Sequence, residues 1–322
     1  MAMDQTAPVT TDYEALLQRA AFADFSNRGR LCLIGNDRQA FINGQVTNNV
    51  KALRAGQGCY AALVNAKGKM TADLNVFVLQ DEILLDFESG LAGKVRERLE
   101  KFIIAEDVQV VDASTSYGLI SVHGPQAVAA CESIGWRVPR ESYAIVAQES
   151  SYVANVPRLG APGVDIYFPV EGENPIDKLR SAGIESCSFE TFEIGRVEQG
   201  IPRFGVDMDE NTLAPEALGA NAISYSKGCY IGQEVIARIR TYGQVAKALR
   251  GLRFHASAPV ANAGDKITHE GKEVGWISSA VFSPKLARAI ALGYVRKECN
   301  QIGARVTVGD AGAEIVELPF QP

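Results

Sequence analysis

The spacing of apolar positions changes character along the chain. Thr11-Asp12-Tyr13-Glu14 has the form of a capping box and predicts a helix running to about Phe25. Ser26-Asn27-Arg28-Gly29 breaks it, residues 30–34 read as a strand, and Asp37 stands where it can cap a short helix over 38–47. Three strand-like runs follow, at 58–65, 70–79 and 83–87, the second alternating through Leu74, Val76 and Val78. Leu91, Val95 and Leu99 then recur at four-residue spacing with charges opposite, which predicts an amphipathic helix. Strands at 118–122, 143–147 and 164–168 alternate with helices after Gly124-Pro125, at 174–182 and at 188–199. Beyond about residue 240 the helical period disappears. Short runs at 249–254, 266–268, 272–278, 289–295 and 305–308, with frequent glycines, predict a small all-β barrel or sandwich.

Composition narrows this picture. The chain has 322 residues, 47% of them hydrophobic and 22% charged, which excludes a disordered or fibrous protein and suggests two or three domains. A net charge of −6 offers no general attraction to a polyanion, so neither direct nucleic-acid binding nor membrane binding is expected. The first 27 residues carry Asp4, Asp12, Glu14 and Asp24 and lack the features of a signal or transit peptide. A cytoplasmic monomer is the expectation. The six cysteines form no CxxC pair, and the three histidines are far apart, so no metal site is expected. Dinucleotide-binding glycine fingerprints, P-loops, HExxH and GxSxG motifs are absent.

The most unusual stretch is Lys227-Gly228-Cys229-Tyr230-Ile231-Gly232-Gln233-Glu234. Its glycines permit a tight backbone that displays the thiol, and Lys227 would stabilise a thiolate if the two heads lie close. The other reading is a buried cysteine in a turn.

This octapeptide resembles the signature of the YgfZ family, tetrahydrofolate-binding proteins linked to iron–sulfur cluster assembly. Other segments are similar to that family and to the glycine-cleavage T-protein: residues 64–74, with Asn65, Gly68, Asp73 and Leu74; residues 193–207, with Arg196, Glu198, Gly200, Gly205 and Asp207; and, towards the end, 275–279, Ser283-Pro284 and 290–295. The resemblance covers about Gly29 to Val295. It implies an α+β fold with two α/β subdomains, the first discontinuous, and a C-terminal β-barrel, arranged around a central folate-binding hole. The boundaries it implies are a folate-binding region over 1–240, divided into a subdomain of 1–50 and 115–240 and an inserted one of 51–114, then a barrel over 241–322.

The resemblance also implies roles. Glu198 stands at the position of the pterin-binding glutamate, where a carboxylate matches a ring N–H beside an amino group. Asp73 matches the acid that faces the reactive folate nitrogens. Two consecutive acids are usual there, and this chain has Ala72-Asp73, which counts against aminomethyl transfer. Cys229 would be a nucleophile or transient cluster ligand, with Lys227 as its electrostatic partner and a further cation for the folate. No acidic residue falls between Glu234 and Asp265, whereas Arg238, Arg240, Lys247, Arg250 and Arg253 all do. If 238–240 is a strand, Arg238 and Arg240 share a face that suits the folate tail; a solvated barrel edge is the equal alternative. The implied function is a folate-binding accessory factor for assembly or repair of [4Fe–4S] clusters in target enzymes, including radical-SAM enzymes that modify transfer RNA. The alternative is a folate-dependent aminomethyltransferase.

Overall fold

The computed structural model describes residues 11–243 and 245–321. Residues 1–10, including Asp4 of the N-terminal reading, lie outside the described residues. In chain order the elements are α1 (Thr11–Gln18), β1 (Ala21–Asp24), β2 (Gly29–Ile34), α2 (Arg38–Gln45), β3 (Gln57–Val64), β4 (Met70–Val78), β5 (Glu82–Phe87), α3 (Ala92–Glu100), β6 (Gln109–Asp112), β7 (Tyr117–His123), α4 (Ala127–Ser133), β8 (Ile145–Gln148), β9 (Ser151–Asn155), β10 (Val164–Pro169), α5 (Pro175–Ser181), β11 (Glu185–Ser186), α6 (Phe189–Glu198), α7 (Ala214–Ala217) and α8 (Gln233–Tyr242). The barrel strands complete the chain: β12 (Lys247–Phe254), β13 (Lys266–His269), β14 (Lys272–Ser283), β15 (Arg288–Arg296), β16 (Arg305–Val308) and β17 (Ala311–Val316).

They form two sheets and a closed barrel. One sheet runs β11-β1-β7-β10-β9-β8, the other β3-β4-β5-β2-β6, and the barrel closes as β12-β15-β14-β13-β16-β17. This is the expected α+β architecture of two α/β subdomains and a C-terminal barrel. The first subdomain is discontinuous, because β1 pairs with β7 and β11 across the inserted sheet. Its boundary differs from expectation: β2 joins the inserted sheet through β5 and β6, so that sheet begins at Gly29 and not near residue 51. The apolar run Leu31-Cys32-Leu33 suits a central strand of either sheet, so sequence alone does not assign it.

The α1 helix ends at Gln18, well short of Phe25. Phe22 pairs with Val122 and Ser186, and ladder bonds on both sides outweigh the weak helical preference of this breaker-free stretch. Asp37 makes no side-chain cap; its Oδ2 instead accepts from the Asp107 amide at 2.9 Å. Asn174 and Ser188 do cap α5 and α6, accepting from Ile176 and Thr191 amides. Residues 238–240 lie in α8, not in a strand, so Arg238 and Arg240 are about 200° apart around a helix and do not share a face.

Alternation along β4 decides what meets in the middle of the molecule. Ala72, Leu74 and Val76 are buried in a core with Leu31, Leu33, Leu85, Val95 and Leu99, under α2 and α3. The opposite face of β4 carries Asp73, Asn75 and Phe77, and Phe77 packs into a second core shared with the six-stranded sheet. The polar ends of that face open into the central cavity.

Candidate functional site

A cavity of about 500 Å³ lies where the two sheets meet α6 and the segment from Gly200 to Asn221. Asp73 lies on its wall. Its Oδ2 accepts from the Tyr60 hydroxyl at 2.7 Å, and its Oδ1 is buried with no hydrogen-bond partner. Burial, and then the negative charge of Glu88, push this carboxyl up to about 6. A buried acceptor left open is costly unless something fills it. The Asp73 side chain sits at the wall of a cavity of mixed polar and apolar lining.

Beneath Asp73 runs a network of charges. The Arg28 guanidinium donates to both oxygens of Asp86, at 2.9 and 3.2 Å, and also to Glu88. Arg158 donates to Asp86 at 2.7 Å and to Asp165 at 2.6 Å, joining the inserted sheet to the six-stranded one. Asn75 adds a bond to Asp86, and Ser121 donates to Asp165. Burial alone would raise the Asp86 carboxyl, but Arg28 and Arg158 together hold it well below the usual carboxylate range. Sequence reading missed this network. Asp86 within Glu82–Phe87 and Asp165 within Val164–Pro169 are charges inside apolar strands, which was a usable signal. Arg28 and Arg158 sit in irregular segments with no local mark.

Helix α6 divides its carboxylates by helical period. Phe189, Phe192, Glu193 and Arg196 line the central cavity at i, i+3, i+4 and i+7. Gly195, Glu198 and Gln199 line a different cavity, of about 200 Å³, with Tyr13 and His123. Glu198, the expected pterin ligand, is therefore not on the central cavity. Its Oε1 accepts from the Tyr13 hydroxyl at 2.6 Å and from Ser283. Glu193 faces the cavity, where Arg196 donates to both of its oxygens, at 3.0 and 2.8 Å. Arg196 also reaches Asp207 and Ser279, tying α6 to the barrel.

The cysteine segment is built differently. Lys227 is buried, and its ammonium donates to the carbonyls of Asn43, Val46 and Asn48 at 2.5, 2.8 and 2.6 Å. These belong to the end of α2 and the turn after it, where a cation is favoured. Burial pulls the amine down to about 8. All three of its donors are spent, so Lys227 has none left for a thiolate or a folate carboxylate, which corrects both expected roles. Tyr230 is buried in an apolar cluster with Val64, Met70 and Ile236. Between these two anchors Gly228 and Cys229 are exposed. Gly232 adopts φ 83°, and a Cβ there would lie 2.5 Å from the Asn65 carbonyl oxygen, so only glycine lets the loop seat on the β3–β4 turn.

Cys229 is the one exposed cysteine; all six are free. It does not line the central cavity, although Ala217, Leu218, Gly219 and Asn221 of the same connection do. Arg238 is exposed and outside both cavities, while Arg240 lies over the Tyr225 ring at 4.3 Å. Among the described residues no group of three or more His, Cys, Asp or Glu is arranged to hold a metal, and no helix is long and apolar enough to cross a membrane.

Comparison with known proteins agrees with this architecture. The model of the GCVT N-terminal domain matches residues 3–227, and that of the glycine cleavage T-protein C-terminal barrel domain matches 247–321. An Arabidopsis thaliana protein named "Putative transferase At1g60990, chloroplastic" is 29% identical over 92% of this chain and 70% of its own length. An aminomethyltransferase of Thermosynechococcus vestitus is 26% identical over 94% of this chain and 84% of its own. The crystal structure of glycine cleavage system aminomethyltransferase T from Bartonella henselae superposes with a TM-score of 0.87 at 21% identity, covering 97% of this chain and 89% of that one. With both domain types matched in order along nearly the whole chain, this protein belongs to the glycine cleavage T-protein family.

Proposed function

We propose that the protein binds tetrahydrofolate in the central cavity and acts, as the YgfZ-like cysteine motif suggests, as an accessory factor in assembly or repair of [4Fe–4S] clusters in client enzymes, tRNA-modifying radical-SAM enzymes among them. The observation that carries the folate half is the buried, unpartnered Oδ1 of Asp73 at a cavity large enough for a heterocycle. The groups present fit a reduced pterin. Asp73 brings an acceptor with no protein partner to the wall, which a ring N–H would satisfy once the side chain turns toward it, Tyr60 and Tyr143 give flat apolar walls, and Asn75 and Asn221 add polar edges. Glu193, not Glu198, is the α6 carboxylate within reach of a ligand there.

Bound tetrahydrofolate supplies a nucleophilic ring nitrogen that carries one-carbon units. The protein's part is to hold or release a proton at that nitrogen through Asp73, whose carboxyl burial pushes up to about 6. The cluster half rests on Cys229, an exposed thiol held between two buried anchors. A single thiol cannot hold a cluster, so it would act as a transient ligand alongside a client's own cysteines.

Calorimetric titration with tetrahydrofolate tests the pocket: Asp73→Asn should weaken binding about tenfold or more, and unchanged affinity removes Asp73 from the site. The cluster role is tested in a deletion strain under oxidative stress, where Cys229→Ala should fail to restore iron–sulfur enzyme activity. The aminomethyltransferase reading is favoured by the names of the relatives, and it predicts the opposite result. Cys229→Ala would then retain full function, and the purified protein would transfer an aminomethyl group from a lipoylated carrier.

A further inference from the structure

Behind α6 the smaller cavity of about 200 Å³ lies between that helix, α1 and the loop before β10. Helix and loop separate it from the central cavity: Phe192 and Gly160 line one side of them, Gly195 and Leu159 the other. Its volume is below the roughly 300 Å³ at which ordinary ligand pockets begin, so it suits a molecule much smaller than folate.

Glu198 brings a charge to this cavity and is only 6% exposed. Its Oε1 is held by two hydroxyls, those of Tyr13 and Ser283; the Ser283 oxygen itself accepts from the Leu286 amide at 3.1 Å. Burial, then the hydrogen bond to Glu198 and its negative charge, push the Tyr13 hydroxyl far up, so it stays a donor. The second oxygen, Oε2, takes no hydrogen bond from the described residues, and among them Glu198 forms no ion pair. Arg196, on the same helix, is turned to Glu193 and Asp207. Glu198 is also the last residue of α6, at the end whose partial negative charge favours a cation. A desolvated carboxylate in that position is costly until a positive charge meets it. His123, also on the cavity wall, cannot provide one. The single hydroxyl proton of Ser121 goes to Asp165, so Ser121 accepts from His123 Nε2 at 2.7 Å. Burial, and then the charge of Arg158, pull the imidazole down to about 3. His123 is therefore neutral, and its Nδ1 is an acceptor. Leu16, Leu159 and Pro162 give the rest of the wall a hydrocarbon surface.

We propose that this second cavity binds a small organic ammonium compound, its charge paired with Glu198 and its hydrocarbon part against Leu16, Leu159 and Pro162. The ammonium donates to Oε2, which supplies the missing counter-charge, and the apolar wall selects an alkyl amine over a hydrated inorganic ion. The site stands whether or not the central cavity takes folate, because the two spaces share no lining residue.

Titration of the full-length protein with n-butylamine near neutral pH, where the amine is protonated, tests this by saturation-transfer NMR of the ligand protons. Wild type should bind the amine with a dissociation constant of about 1 mM, and about tenfold or more tightly than butan-1-ol, which has the same length and no charge. Glu198→Gln keeps an acceptor for Tyr13 and Ser283, and it should bind amine and alcohol alike. No binding of the amine, equal affinity of wild type for the two, or a preference kept in Glu198→Gln overturns the site. If the variant fails to fold, the wild-type comparison decides by itself. Ammonium chloride at the same concentration should leave the amine bound; displacement would make this a site for an inorganic cation and overturn the organic ligand. Tetrahydrofolate should leave it bound as well. Displacement by the folate would place Glu198 in the folate site and overturn a separate cavity, whereas failure of the folate to bind at all would overturn only the reading of the central cavity.

Discussion

The central cavity and the cysteine loop both bury charge, and they do so to different ends. Around the cavity Arg28 and Arg158 are paired with Asp86, Asp165 and Glu88, and the carboxylate left without a cation is Asp73. Charges that compensate each other can remain desolvated without a ligand, so the cavity is formed in advance and its binding group is an acceptor. In the loop the buried ammonium of Lys227 has no carboxylate partner. It is met by three neutral carbonyls, and its work is to fix backbone. The reactive group next to it is then free to stand in solvent. One region stores its chemistry inside, the other holds it outside on a rigid mount.

The largest effect should come from removing the hub of the cavity network. Asp86→Asn leaves Arg28 and Arg158 buried against a neutral amide and should cost about 3–5 kcal/mol in urea unfolding. A cost under about 1 kcal/mol would mean that the network is not a unit. The pH dependence has a definite sign. The folded-state carboxyl of Asp86 titrates below its unfolded value, so its contribution is present above about pH 4 and fades as pH falls further. The variant should lack that acid limb.

Lys227→Met comes next. It strands the carbonyls of Asn43, Val46 and Asn48, and at about 1 kcal/mol for each buried acceptor the loss should approach 3 kcal/mol. The loop itself should loosen, seen as protease cleavage between Tyr225 and Gly232 in a protein whose barrel remains folded. If Lys227 instead served Cys229 as an electrostatic partner, the variant would change thiol reactivity and leave stability untouched.

How far the sequence reached follows the same division. Alternation in β4 separated Leu74 and Val76 from Asp73 and Asn75, so the face that meets the cavity was readable. The period of α6 also carried information: residues 189, 192, 193 and 196 share a face, and that face excludes Glu198. Family motif pointed to Glu198, helix geometry to Glu193. The partners of Lys227 were not readable, because they lie more than 170 residues away in the chain and are backbone atoms. Nor was the extent of α1, since nothing local in Ala20-Ala21-Phe22 signals the strands that flank it.

A smaller effect separates binding from stability at Asp73. Its carboxyl titrates higher in the folded protein than unfolded, so it imposes a penalty at neutral pH that disappears as pH falls from about 6 toward 4. Asp73→Asn keeps an acceptor for Tyr60 and removes the charge. It should stabilise the protein by about 1–2 kcal/mol at pH 7.5, and the difference should close near pH 4. A gap that does not change with pH would place the Asp73 carboxylate in open solvent.

The smallest stability effect is expected at Cys229, and it tells most about the loop. Exposed and free, this thiol contributes little packing, so Cys229→Ser should unfold within about 0.5 kcal/mol of wild type. Reactivity should behave otherwise. Burial pushes the thiols of Cys59, Cys131 and Cys187 up to about 12, and that of Cys32 higher still. Cys299 is half-buried. A thiol reagent should therefore modify native wild type in one fast phase equivalent to a single cysteine, and that phase should be absent in Cys229→Ser. Persistence of the fast phase in the variant would show that another cysteine is reached first. The thiol would then have lost its distinction from the rest, and with it the contrast between a mount that displays its reactive group and a cavity that encloses one.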